Sequence, residues 1–392
     1  MTEKVFCKKC KEEKPVVAIC YDFDRTLSPD DMQAQGFIQS VGFDTKDFWV
    51  KSNGLAEDND MDQNLAYMYS MLSEAEGQVL FTRDNLAEYG AKVELFPGVE
   101  DWFGRMNTYG DAKGVIVEHY IISSGLKEMI EGTEIARKGN FEKIYASSFY
   151  FNSRGVAVWP AQVINYTNKT QFLFRIEKGV LDVNDSSVND YFPPNEIRVP
   201  FRNMIYIGDS DTDIPCMKLV NTYGGHSIGV FNPETRDKKK VYKMMNDNRI
   251  KYFAAADYKE NSELDILVKE IIDRTVSNEK LEIWHYKNRN ETVKNSDVND
   301  GQRRDELITK LENSRSFATT HMVVKELNEY GDLTKTECEK LFDIAVCNLQ
   351  VHWILGDSDV ANFYTKLLKK YKKYSEAADR VREIIDNELL NE

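Results

Sequence analysis

The arrangement of short apolar segments is the feature of this sequence that most limits its fold. Candidate strands, separated by helical or loop-like stretches, are residues 16–21, 114–123, 143–151, 156–164 and 204–208. Near-continuous apolar strands that alternate with helices indicate a mostly parallel sheet covered on both faces. We therefore predict an α/β fold with a three-layer, Rossmann-like core over residues 16–29 and 97–275, preceded by an N-terminal extension, 1–15. Ligands of such sheets bind at the carboxyl ends of the strands.

Residues 30–96 lack the apolar pattern of strands, and we predict that they form a small helical cap inserted in the core. Apolar residues at helical spacing, Leu65, Met68, Tyr69 and Leu72, predict one amphipathic helix within it. The polar segment 276–300 is predicted to be a linker.

Residues 301–392 are predicted to form a separate C-terminal all-α domain. Thr334 and Glu337 match a capping box. A continuous helix is expected to follow, with Leu341, Ile344, Asn348, Val351 and Leu355 on one side and Gly356 at its end.

Charge and composition exclude several classes of partner. The net charge of −14 argues against general nucleic-acid binding, which needs a basic surface. The densest basic run, Lys238 to Lys240, is interpreted as a solvated face near a turn. No apolar run is long enough to span a bilayer, and the N-terminal residues lack the apolar stretch of a secretory signal. We expect a cytoplasmic protein with no nucleic-acid or membrane partner.

The six cysteines form no dense framework, which favours free thiols. Cys7 and Cys10 have zinc-like spacing, but no second Cys-x-x-Cys pair supplies the remaining ligands of a tetrahedral site. Whether they bind a metal stays open.

Asp22 and Asp24 follow the first candidate strand. Residues two apart in an extended chain point to the same side, so the two carboxylates can share one space. Two like charges that close are costly unless a cation lies between them. Oxygen ligands of this kind suit Mg²⁺. An isolated Asp-x-Asp is also typical of a capped turn, and matching chemistry at the other strand ends favours the metal.

Two further polar groups have phosphate-binding character. Ser123 and Ser124 follow an apolar strand, and hydroxyls beside backbone amides at a helix start can bind phosphate oxygens. Lys169 precedes an apolar helical pattern and can neutralise phosphate charge. Each signal is weak alone, since Ser is a common helix cap and Lys a common surface residue.

The last candidate strand ends at Gly208 and is followed by Asp209, Asp211 and Asp213. This density of carboxylates directly after a buried strand indicates a metal site. A calcium loop of the EF-hand kind is excluded, because Ile214 and Val220 occupy the positions that require Gly and Glu.

Taken in chain order, these clusters resemble the four motifs of the haloacid dehalogenase (HAD) superfamily of phosphohydrolases. The matching residues are Asp22-Phe-Asp24-Arg-Thr26, Ser123, Lys169 and Gly208-Asp209-x-x-x-Asp213. The resemblance spans about residues 16–232. The helical insert followed by ELFPGVEDWF is similar to members with a type 1 cap, such as the phosphoserine phosphatase-like branch.

The resemblance implies a role for each matching residue. Asp22 would be the nucleophile and Asp24 the acid and base. The implied Mg²⁺ ligands are the Asp22 carboxylate, the Asp24 carbonyl and Asp209, with Asp213 in support. The implied phosphate-binding residues are Ser123, Ser124 and Lys169, together with Thr26, which would orient the loop.

The expected activity is therefore Mg²⁺-dependent hydrolysis of a small phosphomonoester through an aspartyl-phosphate. Carbon–halogen cleavage needs no leaving-group acid, so Asp24 favours a phosphatase over a dehalogenase. Two alternatives remain: a phosphotransferase that uses the same intermediate, and a scaffold that binds a phosphorylated ligand without turnover. The C-terminal helices are candidates for contact with a protein partner or a second copy of the chain.

Overall fold

The computed structural model describes residues 6–192, 196–295, 300–314, 316–331, 333–370 and 375–389. The chain divides into two compact units. The first contains Met1–Asp185 and Arg198–Ile283, and the second contains Ser186–Ile197 and Trp284–Glu392.

A seven-stranded sheet forms the centre of the first unit. Its strands are β1 Val16–Tyr21, β2 Ile116–Leu126, β3 Lys143–Phe151, β4 Ala157–Gln162, β5 Met204–Gly208, β6 His226–Phe231 and β7 Tyr252–Ala255. Their order is β4-β3-β2-β1-β5-β6-β7, and every neighbouring pair is parallel except β3 with β4. The predicted fold class is confirmed, and β1 lies between β2 and β5.

Helices surround this sheet. Within the described residues of the first unit they are α1 Phe37–Ser40, α2 Thr45–Asp58, α3 Gln63–Ala75, α4 Arg83–Gly90, α5 Val99–Lys113, α6 Lys127–Gly132, α7 Glu134–Arg137, α8 Thr170–Lys178, α9 Ile214–Thr222, α10 Lys239–Asn246 and the start of α11 Glu263–Asn295. Val17 and Ile19 of β1 pack in one apolar cluster, whereas Ala18 and Cys20 pack in another. Alternate side chains of the central strand are thus buried on both faces, which gives the three layers.

The segment predicted as a helical cap contains α1 to α4, between β1 and α5. The predicted amphipathic helix exists as α3, but its buried face is displaced from the expected one. Tyr69 is exposed, whereas Tyr67 and Met71 are buried. The displacement follows from Tyr67, whose hydroxyl donates to the Ser124 carbonyl at 2.7 Å and turns that side of α3 inward.

Three local expectations differ from the structure. β6 and β7 were not predicted, because β6 contains and follows glycines and β7 is four residues long and alanine-rich. The predicted linker is helical up to Asn295 as part of α11, since its polar residues still form good helix. Residues 296–299 lie outside the described residues.

The second unit is helical. Its described helices are the end of α11, α12 Asp300–Glu312, α13 Phe317–Glu329, α14 Lys335–Cys347, α15 Leu349–His352, α16 Ser358–Lys370 and α17 Glu376–Leu389. The Thr334 and Glu337 capping box is confirmed at the start of α14. The long helix expected beyond it is interrupted, because the Asn348 side chain accepts from the amides of Gln350 and Val351 and starts α15.

Within the described residues, no helix combines the length and the apolar character that crossing a bilayer requires.

Candidate active site

The carboxyl ends of three neighbouring strands meet at one cavity of about 330 Å³. β1 leads into Asp22, β2 contains the paired serines, and β5 leads into Asp209. The predicted site residues that line this cavity are Asp22, Asp24, Ser123, Ser124 and Asp209. Residues far apart in sequence are therefore brought together where ligands of parallel sheets bind.

Asp22 lies almost buried at the floor of the cavity, with 5% of its surface exposed. Its Oδ1 accepts from the Phe23 amide at 2.8 Å, and its Oδ2 lies 3.2 Å from Lys169 Nζ. Burial and the nearby Asp213 carboxylate raise the pKa of Asp22 to about 7, although Lys169 opposes the shift.

Lys169 is fully buried beneath Asp22 and binds Asp213 more closely than Asp22. It ends the short turn Tyr166–Lys169 that precedes α8. Although burial opposes the shift, Asp213 and Asp22 raise the pKa of Lys169 above its ordinary value. The ammonium group is therefore charged and can act on the Asp22 carboxylate.

Both carboxylate oxygens of Asp213 are occupied by protein groups. Oδ1 accepts from Lys169 Nζ at 2.8 Å and from the Tyr206 hydroxyl at 2.9 Å. Oδ2 accepts from the amide and the hydroxyl of Ser210 at 3.0 and 2.9 Å. A carboxylate has about four acceptor positions, so little capacity remains for a direct metal bond. Gly208 makes room for this carboxylate, since a Cβ there would lie 2.6 Å from Oδ2.

Asp24 also lines the cavity. Its Oδ1 accepts from the Met32 amide at 2.8 Å. A Cβ at Gly125 would lie 2.9 Å from its Oδ2, so the absence of a side chain there leaves space for the carboxylate. Burial and the neighbouring Asp31 and Asp22 carboxylates raise the pKa of Asp24 well above its ordinary value. A raised pKa favours the protonated form of this carboxyl group.

The carboxylates form a group suited to a divalent cation. Among the described residues, Asp22, Asp209 and Asp213 offer oxygens within 4.8 Å of one another. Burial raises the pKa of Asp209 to about 6, although Lys240, whose Nζ lies 3.5 Å from Oδ2, opposes the shift. Two buried carboxylates with raised pKa values are what a hard cation would stabilise, so the residues fit Mg²⁺. Cys7 and Cys10 belong to no such group among the described residues.

The paired serines lie in β2 itself. The strand continues to Leu126 and α6 begins at Lys127, so the helix starts later than the sequence suggests. Ser123 Oγ accepts from the Gly125 amide at 3.0 Å. Their position beside the cavity keeps both serines as phosphate-binding candidates.

Thr26 lies outside the cavity lining. It is fully buried, and its hydroxyl has no hydrogen-bond partner in the described part of the chain. Its carbonyl accepts from the Tyr258 hydroxyl at 2.7 Å. This geometry suits a residue that orients the loop and does not suit direct phosphate contact.

Several residues of the cavity were not found from the sequence. Lys240, interpreted as part of a solvated face, lines it beside Asp209. The helical segment 30–96 contributes Gln33, Trp49, Asn64 and Tyr67. No local pattern marks these side chains, because only the packing of the segment over the strand ends brings them to the site.

The comparisons with known proteins give the following similarities. No family model matches the chain. It is 26% identical over 276 residues to an uncharacterized protein of Borreliella burgdorferi, covering 64% of this chain and 95% of that one.

Solved structures with a similar fold include an HAD family hydrolase from Salmonella enterica serovar Typhi. It is 16% identical in sequence, with a TM-score of 0.43, and the match covers 67% of this chain and 73% of that one. A substrate-bound phosphoserine phosphatase is 15% identical, with a TM-score of 0.38, and the match covers 61% of this chain and 100% of that one. Cytosolic 5'-nucleotidase IIIB bound to cytidine is 14% identical, with a TM-score of 0.37, and the match covers 66% of this chain and 86% of that one.

Proposed function

We propose that the chain is a Mg²⁺-dependent phosphatase of the HAD superfamily that hydrolyses a small phosphomonoester. The observation that carries the proposal is the pairing of two different carboxyl groups in one cavity. Asp22 faces Lys169 Nζ at 3.2 Å, whereas Asp24 is held by the Met32 amide at 2.8 Å. These different surroundings support Asp22 as the group that attacks phosphorus and Asp24 as the group that exchanges a proton.

In the first step an Asp22 carboxylate oxygen attacks phosphorus and the bond to the ester oxygen breaks. That oxygen leaves with the bonding electron pair and takes a proton from Asp24. In the second step Asp24 removes a proton from water, which attacks phosphorus and breaks the bond to Asp22. Inorganic phosphate and free Asp22 are the products.

Asp22, Asp209 and the Asp24 carbonyl would hold Mg²⁺, which supplies charge neutralisation for the transferring phosphoryl group. Asp213 supports the site by holding Lys169, since its own oxygens bind protein groups. Lys169, with the hydroxyls of Ser123 and Ser124, provides positive charge and donors for the phosphoryl oxygens.

The test is release of inorganic phosphate from sugar, nucleotide and amino-acid phosphates with Mg²⁺, with and without EDTA. Wild type is compared with Asp22→Asn and with Asp211→Asn, an exposed aspartate of the same fourth motif. We expect turnover that is lost in EDTA and lowered by a factor of roughly 10³ or more in Asp22→Asn, with Asp211→Asn close to wild type.

A burst of alcohol release before steady state is the expected kinetic sign of the aspartyl-phosphate. Full turnover in Asp22→Asn would contradict the nucleophile. Binding of inorganic phosphate by wild type without release from any ester would favour a phospho-ligand-binding protein instead.

A further inference from the structure

The cavity has a second wall that the proposed chemistry does not use. Opposite the strand ends, the helical segment 30–96 places Gln33, Trp49, Asn64 and Tyr67 against the same space. All four side chains are uncharged. A volume of about 330 Å³ is at the small end of the range for ligand pockets, roughly 300–1,000 Å³, and suits a small molecule.

Gln33 differs from the nearby Gln35 in its hydrogen bonding. Its side chain is 2% exposed and lines the cavity, yet it makes no hydrogen bond to any described residue. Gln35 shows the contrast, since its Nε2 donates to Ser28 Oγ and its Oε1 accepts from the Glu94 amide. The amide atoms of Gln33 do not belong to the buried atoms that lack partners, so they open onto the cavity, where their donors and acceptor are free to bind a ligand group.

The position of Gln33 relates it to the leaving group. Gln33 directly follows Met32, whose amide holds Asp24 Oδ1 at 2.8 Å. Asp24 is the group that gives a proton to the departing oxygen in the proposed mechanism. Gln33 and Asp24 line the same cavity, so the amide of Gln33 is available to the alcohol part of the ester.

The charges around the cavity disfavour a leaving group that carries a carboxylate. The cations in the lining, Arg25 and Lys240, already face Asp31 at 2.8 Å and Asp209 at 3.5 Å. A carboxylate on the substrate would meet no cation on the wall of the helical segment and would lie near Asp24. An amino-acid phosphate such as phosphoserine is thus a poor match.

The remaining wall groups suit a hydroxylated, uncharged ring or chain. Trp49 and Tyr67 contact each other edge to face, with ring centroids 5.8 Å apart. Aromatic faces pack against the C–H groups of a sugar or polyol, while its hydroxyls need amide partners. Asn64 donates to the Ile164 carbonyl at 2.6 Å and keeps its Oδ1 as an acceptor in the same lining as Gln33.

We propose that Gln33 selects the leaving group by hydrogen bonding to a hydroxyl of an uncharged sugar or polyol phosphate. This assignment rests on the proposed phosphatase function. It makes Gln33 a specificity-determining residue, distinct from the residues that act on phosphorus.

The experiment compares kcat/KM for glucose 6-phosphate, phenyl phosphate, phosphoserine and phosphocholine. Phenyl phosphate has no free hydroxyl on its leaving group and so reports the phosphoryl chemistry alone. The variants are Gln33→Met, which keeps the length of the side chain, and the milder Gln33→Asn. Gln63→Leu is the matched control, since Gln63 is an exposed residue of the same helical segment.

Wild type is expected to prefer glucose 6-phosphate over phosphoserine and phosphocholine. The ratio of kcat/KM for glucose 6-phosphate to that for phenyl phosphate should fall roughly tenfold or more in Gln33→Met. It should fall less in Gln33→Asn and stay unchanged in Gln63→Leu. Melting temperatures of all variants separate this change from a loss of folding.

Two results would overturn the assignment while leaving the phosphatase intact: an unchanged ratio in both Gln33 variants, or a wild-type preference for phosphoserine or phosphocholine. Absence of turnover of every ester, phenyl phosphate included, would overturn the proposed function and this assignment with it. The phenyl phosphate measurement thus distinguishes the two failures.

Discussion

Lys169 Nζ lies 2.8 Å from Asp213 Oδ1 and 3.2 Å from Asp22 Oδ2, so one buried ammonium group joins two carboxylates. Asp22 follows β1, and Asp213 lies in the turn after β5, a strand that pairs with β1 in parallel. The pairing of β1 with β5 therefore brings the two carboxylates close together, and the turn Tyr166–Lys169 brings the ammonium group to them. Because Lys169 is fully buried, these carboxylates balance its charge inside the protein.

Replacement of Lys169 by Met should destabilise the protein strongly. It leaves Asp213 buried without its cation, and breaking such a pair costs about 3–5 kcal/mol. Urea denaturation measures the free energy of unfolding. Lys218→Met, which changes an exposed lysine of α9, is the control. The double variant Lys169→Met with Asp213→Asn should recover part of the loss, and equal stability of wild type and Lys169→Met would contradict the pairing.

The carboxylates at the ends of β1 and β5 were predictable from the sequence because the signal for each is local. Asp22 and Asp209 both follow short apolar strands, and a parallel sheet places the ends of such strands along one edge. β1, β3 and β5 have the same bounds in the structure as in the prediction. β1 and β5 are buried at every position and contain no charged residue, so their limits are visible in the sequence.

The residues that were missed depend on contacts distant in sequence. Lys240 belongs to a basic run that looks like solvated surface, and only the position of α10 brings it within 3.5 Å of Asp209. Gln33 has no distinguishing neighbours in sequence, and its missing hydrogen-bond partners are visible only in three dimensions. β7 was missed because its alanines favour helix, whereas pairing with β6 makes it a strand.

Mg²⁺ should raise the melting temperature of the wild-type protein. The cation would relieve repulsion among buried carboxylates, and binding to the folded state alone stabilises by about 2.7 kcal/mol at a concentration of 100 Kd. Thermal unfolding with Mg²⁺ and with EDTA measures the shift. Asp209→Asn should abolish the shift, whereas Asp211→Asn should keep it. A shift of wild-type size in Asp209→Asn would place the cation elsewhere.

Replacement of Arg198 by Ala should destabilise the first unit by about 1.5–3 kcal/mol at pH 7, because Glu118 loses charge-assisted hydrogen bonds and keeps Lys9 and Tyr120 as partners. Arg198 donates to both Glu118 oxygens, at 2.8 and 2.6 Å. Glu118 is 8% exposed. Arg154→Ala, at an exposed position, is the control for urea denaturation at pH 7.

The Arg198–Glu118 pair should make the free energy of unfolding depend on pH. Although burial opposes the shift, Arg198 and Lys9 lower the pKa of Glu118 from 4.5 to about 2. The unfolded chain binds the proton first as pH falls, so the contribution of Glu118 is present above pH 4.5 and is lost towards pH 2. The stability difference between wild type and Glu118→Gln should therefore shrink on acidification. A difference independent of pH would show that the charge of Glu118 is not the cause.

Glu128 should make stability depend on pH in the direction opposite to Glu118. It lies in α6 with 1% of its surface exposed, and Arg83 Nη1 is 3.7 Å from its carboxylate, beyond hydrogen-bond distance. Burial raises the pKa of Glu128 from 4.5 to about 7. Between these values the folded protein keeps a proton that the unfolded chain has lost, so stability falls as pH rises through this window.

Glu128→Gln removes that ionisation and keeps the shape of the side chain. We expect the variant to be more stable than wild type at pH 8, by up to about 3 kcal/mol, and similar to it at pH 4. Urea denaturation across this range measures the difference. Glu131→Gln is the matched control, because Glu131 lies in the same helix, faces Arg83 at the same distance and is 42% exposed. Parallel pH profiles for wild type and Glu128→Gln would mean that Glu128 is already ionised in the folded protein at neutral pH.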